Sequence, residues 1–177
     1  MKKKYTLLAL TISFSMNAQI STYNTANPGF DASAMGVYTT ASGIGSTAMG
    51  GYTTASGDYS TAMGYNTTAI EYASTAMGRN TTASGFASTA MGVTTTASGR
   101  ISTAMGYNTT ARDFASTVIG QYNLLGSTVT NSATGFSTEN TAFVIGNGAD
   151  TDNRSDALTV LFDGTTNIAG SVTATSF

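Results

Sequence analysis

The residues able to do chemistry are few and unevenly placed. The stretch Asp150-Thr151-Asp152-Asn153-Arg154-Ser155-Asp156 holds three of the chain's nine acidic residues. Calcium takes about six to eight oxygens from a tight loop, and alternating Asp residues can supply them. Asp150, Asp152 and Asp156 are therefore the one candidate cation site. Arg154 stands at the spacing where a third ligand would fall, and no Glu closes the loop. The favoured reading is a solvated turn without metal, in which Arg154 balances the Asp residues.

Enzyme chemistry has little to draw on. The chain contains no His and no Cys, and its only lysines are Lys2, Lys3 and Lys4. The commonest bases and nucleophiles are thus missing from the rest of the chain. Asp58, Glu71 and Asp113 fall in different copies of a repeat, which keeps them from pairing as acid and base. Gly146-Asn147-Gly148 lacks the third glycine and the helix of a dinucleotide fingerprint. The expectation is a protein that is not an enzyme and carries no cofactor. Asn66, Asn80 and Asn108 open Asn-Thr-Thr sequons, and an Asn file beside a turn accounts for them equally well.

Whatever these residues do, a repeat must position them. Gly36, Gly50, Gly64, Gly78, Gly92, Gly106 and Gly120 each follow the last by 14 residues. Ala-Met precedes the first six, and Val118-Ile119 precedes the seventh. A second glycine closes Thr-Thr-Ala-Ser-Gly at Gly43, Gly57, Gly85 and Gly99, and Gly29 fits the same place, so the pattern begins near Thr25. Each phrase reads as five residues, a two-residue turn, five residues and a two-residue turn. Gly and Thr at this density disfavour helix, whereas short β-branched runs ended by glycine favour strands. The predicted fold is all-β: a parallel β-roll, or solenoid, of 14-residue coils stacked about 4.8 Å apart.

A strand alternates its side chains. Ala76 and Ala83 are therefore placed inside the coil, with Thr75 and Met77 outside. Met35, Met49, Met63, Met77, Met91, Met105 and Ile119 then form one outward file. A continuous apolar stripe marks an interface, and three rods sharing an axis would bury three such files, with Met filling the irregular seam. The opposite arrangement, Met inward and Ala outward in a monomer, stays open at this point. Thr40, Thr54, Thr68, Thr82, Thr96 and Thr110 form a second outward file, an exposed contact surface of a kind that could also bind ice. Tyr38, Tyr52, Tyr59, Tyr72, Phe86 and Phe114 sit at or beside turns, as contacts for a partner or between subunits.

The N-terminus reads separately. Three lysines, an apolar run from Leu7 to Met16 and Asn17-Ala18-Gln19 form a secretory signal peptide over residues 1–18, cut after Ala18. The run is too short to cross a bilayer, and no membrane span is expected in the mature chain. Removing it leaves four Arg against nine acidic residues, a net charge of −5. No basic stripe remains to bind nucleic acid.

The copies of Ser46-Thr47-Ala48-Met49-Gly50 resemble the head of trimeric autotransporter adhesins, the YadA-like head, whose repeat of about fourteen residues turns on an Asn-Ser-Val-Ala-Ile-Gly core. Ser116-Thr117-Val118-Ile119-Gly120 and Thr141-Ala142-Phe143-Val144-Ile145-Gly146 are looser matches, and the resemblance covers residues 25–148. It implies a left-handed trimeric roll displayed outside the cell and used for adhesion, with an extracellular protein or glycan as ligand. Met stands where that family has Ile, which implies softer axial packing. The family's stalk and membrane barrel have no counterpart here, so another anchoring route or a longer parent protein is expected.

Head repeats are thus assigned to residues 19–148, regular over 25–120 and irregular with loops over 121–148. After Gly120 the register breaks, and Leu124 to Asn131 and Ser137 to Asn140 are expected to be inserted loops. Residues 149–177 are assigned to a neck or cap, with a strand over Ala157–Phe162 and a hairpin turn at Asp163-Gly164. It resembles segments that join such heads to later modules in surface and tail-fibre proteins. A structural, tail-fibre-like role is accordingly the alternative to adhesion, with ice binding after it.

Overall fold

A computed structural model describes residues 29–125 and 132–173. The signal peptide and the expected start near Thr25 lie outside the described residues. Six regular coils, and the first strand of a seventh, run through β1 (Ser33–Val37), β2 (Thr40–Ala41), β3 (Thr47–Gly51), β4 (Thr54–Ala55), β5 (Thr61–Tyr65), β6 (Thr68–Ala69) and β7 (Thr75–Arg79), then onward. They continue as β8 (Thr82–Ala83), β9 (Thr89–Val93), β10 (Thr96–Ala97), β11 (Thr103–Tyr107), β12 (Thr110–Ala111) and β13 (Thr117–Gln121). After an insertion come β14 (Thr141–Asn147), β15 (Asp156–Leu161) and β16 (Thr166–Ile168).

Two parallel sheets face each other across the coil. The longer strands β1 to β13 pair in register 14 residues on, Ala48 opposite Ala62 and Met49 opposite Met63. The two-residue strands β2 to β12 form the second sheet, Thr68 opposite Thr82. The structure is all-β, a parallel solenoid with no helix among the described residues, and hence none long and apolar enough to cross a membrane.

The interior follows from the period of two. The Ala of each strand, from Ala41 through Ala111, is fully buried. Beside these alanines lie two further inward files, Thr39 to Thr109 and Ser46 to Ser116. Ala contributes only about 0.8 kcal/mol per buried carbon, against about 1–2 kcal/mol of backbone ordering per residue. Bonds from coil to coil must therefore carry much of the stability. They require close approach, which explains the glycine of Ala-Met-Gly: a Cβ on Gly78 (φ +121) would stand 2.1 Å from the carbonyl oxygen of Gly92.

The coil differs from the expected phrase in one respect. It runs as five strand residues, a two-residue corner, two strand residues and a five-residue turn, as in β7, Asn80-Thr81, β8 and Ser84–Ser88. The second segment shortens because Ser88 N–H donates to the Gly85 carbonyl at 3.1 Å and closes a turn. Left-handed residues make both bends: Tyr38, Tyr52, Asn66, Asn80, Thr94 and Asn108 at the corner, and Tyr59, Ala73, Ala87, Ile101 and Ala115 at the turn.

Past β13 the two sheets part company. β14 rejoins the longer sheet in parallel, Ile145 opposite Ile119 and Gly146 opposite Gly120. The shorter sheet stops at β12, where the Asn123 amide acts as a substitute strand. Its Oδ1 accepts from Thr110 N–H at 2.8 Å and its Nδ2 donates to the Thr110 carbonyl at 3.0 Å. Buried Asp113 fixes the returning chain, accepting from Thr141 N–H at 2.8 Å and Thr141 Oγ1 at 2.6 Å. β15 then adds antiparallel to β14, and β16 to β15 through the turn at Asp163-Gly164. The inserted stretches carry no strand among their described residues.

Candidate interaction faces

The outer face of the longer sheet presents the methionine file. Met35, Met49, Met63, Met77 and Met91 are half-buried in the single chain, and Met105 is 38% exposed. Register carries the file on through Ile119 and Ile145 to Leu158 of β15. On one flank, Tyr65, Arg79 and Tyr107 are exposed.

The outer face of the shorter sheet carries Thr40, Thr54, Thr68, Thr82, Thr96 and Thr110, all half-buried. A parallel file of Ser42, Ser56, Ser84 and Ser98 lies beside it, interrupted by Ile70 and Arg112. Ser56 and Ser98 donate their hydroxyls to the carbonyls of Ala69 and Ala111 at 3.4 Å.

The edges between the sheets are aromatic. Tyr38 stacks on Tyr52 (4.9 Å, 17°) and Tyr72 on Phe86 (5.3 Å, 9°), with the Arg100 guanidinium 4.6 Å over the Phe86 ring. Rings stacked along the rod turn their faces to each other and their rims to solvent. Asn66 donates to Asn80 at 2.9 Å, and the sequon asparagines Asn66, Asn80 and Asn108 serve as left-handed corners.

Asp150 and Asp156 of the acidic turn are engaged by separate partners. Asp150 accepts from the backbone of Asp152 and Asn153 and from the Asn153 side chain, and these bonds, the side-chain one foremost, hold its carboxyl below its ordinary pKa. Asp156 points elsewhere and accepts from Leu124 N–H at 3.0 Å; burial pushes its carboxyl up, opposed by that bond and by Thr159. No group of three or more potential ligands gathers among the described residues. Arg154 does not balance the Asp residues as expected. It donates to the Asn108 carbonyl and the Asn123 carbonyl at 3.1 Å each, and to Asn108 Oδ1 at 2.5 Å. The reason is that the last coil offers a fan of unpaired acceptors that suits a planar guanidinium. Asp58 likewise serves structure, accepting from Ile44 N–H of the preceding coil at 2.9 Å.

Sequence reasoning missed the roles of Asn123 and Asp113. Both were signalled as departures from the repeat, Asn123 standing in the buried Thr place and Asp113 in the Gly99 place.

Comparison with known proteins agrees with this geometry. The family model of the YadA head domain repeat, which holds two copies, matches residues 28–53, 41–67, 55–81, 69–92, 83–109 and 97–123 in overlapping windows. No curated protein matches the chain. The matched windows span more than half of the 177 residues, and each advances by about one coil. The chain belongs to the YadA head domain family of adhesin-like surface repeat modules.

Proposed function

We propose that this chain is an exported head, displayed at the cell surface, that assembles as a homotrimer and holds an extracellular protein or glycan partner. It has no chemistry of its own. Residues 1–18 direct export, and the tail from residue 149 acts as a neck that closes the last coil. The observation supporting this most directly is the file Met35 to Ile119, an apolar stripe along a rod whose own interior is Ala, Thr and Ser. Half-buried large side chains in an unbroken line have no use for water, and three copies about one axis would cover them together.

The test is the solution mass of residues 19–177 by light scattering, for wild type and for Met63→Asp/Met77→Asp. A trimer that the double substitution dissociates supports the reading, since a carboxylate in an apolar seam has no partner to offset its desolvation. A folded monomer indifferent to both substitutions overturns it. The pairing of the Thr file with a Ser file on the opposite sheet favours a second reading, adsorption to ice, which thermal hysteresis in dilute solution would reveal.

A further inference from the structure

The whole sulfur content beyond residue 18 lies in one file. The chain has eight methionines and no cysteine, and apart from Met1 and Met16 all of them stand on the outer face of the longer sheet. The fold does not need sulfur there, because Ile119 and Ile145 occupy the same file in register. Elsewhere the large aliphatic places are filled by Val, Ile and Leu, as in Val144, Ile101 and Leu124. Met is therefore confined to the one surface proposed for assembly. In the single chain the file is half-buried, with Met105 38% exposed.

We infer that this file is an oxidation site that gates assembly: peroxide-class oxidants convert its methionines to sulfoxides and keep the chain from joining its copies. In each event the thioether sulfur takes one oxygen from hydrogen peroxide. The O–O bond breaks, an S–O bond forms and water leaves; sulfur loses two electrons and the peroxide gains them. A sulfoxide is polar and chiral where the thioether was apolar and pliant, so it disrupts a seam built on Met. The vulnerable species is the newly exported chain, before its file is covered. The change is reversible, because sulfoxide reductases restore the thioether. This inference rests on the trimer reading.

The experiment uses residues 19–177, refolded from denaturant with and without prior full oxidation by hydrogen peroxide. Oxygen uptake per Met is read by mass spectrometry and assembly by light scattering. A second variant replaces all six file methionines by Ile. The expected result is a trimer from untreated chain, a monomer with native strand content from oxidised chain, return to trimer after sulfoxide reductase, and an Ile variant that assembles under both conditions. An oxidised chain that still forms trimers overturns the inference and leaves the trimer reading intact. An Ile variant that also fails after peroxide overturns it too, by placing the damage elsewhere. An untreated wild-type monomer removes the trimer reading and this inference with it.

Discussion

The sharpest consequence of the interior is that some of its hydroxyls cost stability. Thr81 is fully buried and its Oγ1 has no hydrogen-bond partner, as is also the case for Thr39, Thr53, Thr67, Thr95 and Thr109. A hydroxyl stranded in this way costs about 1–3 kcal/mol. Thr81→Val keeps the β-branch and its rotamer, removes that cost, and buries one more carbon worth about 0.8 kcal/mol. Tighter packing takes back up to about 1.5 kcal/mol. The expected net is a stabilisation of about 1–2 kcal/mol, or about 2–8 °C in Tm for a chain of this size. Ser88→Ala is the paired control, because the Ser88 hydroxyl accepts from Gly85 N–H at 3.1 Å, and its loss should destabilise by about 1 kcal/mol. Urea unfolding followed by circular dichroism reads both. Opposite signs are required from two substitutions that each delete one inward hydroxyl. If Thr81→Val lowered stability while the fold held, the orphan-hydroxyl reasoning would be refuted.

Two further outcomes can be checked in the same assay. Gly78→Ala must fit a methyl 2.1 Å from a neighbouring carbonyl oxygen at φ +121, and should cost about 3 kcal/mol or more, whereas Gly164→Ala has φ +90 but open space around it and should cost only backbone strain of about 1–2 kcal/mol. Asp156 has a folded-state pKa raised above its ordinary 3.8, so its contribution to stability is present below that value and is lost as pH rises through the folded value. Asp156→Asn keeps an acceptor for Leu124 N–H; it should exceed wild type in stability at pH 7 and converge with it at pH 3, and a gap that stayed constant with pH would contradict the burial argument.

The sheet registers and the inside-outside assignment were legible because the 14-residue period and the two-residue strand period together leave little freedom: once Ala76 points inward, Met77 cannot. The length of the second strand was not legible. Its turn depends on left-handed backbone at Tyr59, Ala73, Ala87, Ile101 and Ala115, residue types that carry no sign of that conformation. The register break after Gly120 was visible, but not how it is mended. Asp113 meets Thr141 across 28 residues and Arg154 meets Asn108 across 46, and only the path of the intervening chain brings such pairs together. The Arg154 expectation failed for that reason: local charge favoured the Asp residues, while the folded coil offered better acceptors. The methionine face could be read as a stripe because its residues recur every 14 positions beside an inward alanine.

Because each coil meets the next through the same residues in the same register, the rod has no preferred length. Inserting or deleting one 14-residue phrase leaves every remaining interface as it was, adds or removes about 4.8 Å, and moves the capped end with its Asn123 and Arg154 as a unit. The reach of the rod can therefore change in single steps of one coil, whereas altering a coil's interior demands matched changes in both neighbours. Length is the free dimension of this fold, and cross-section the constrained one.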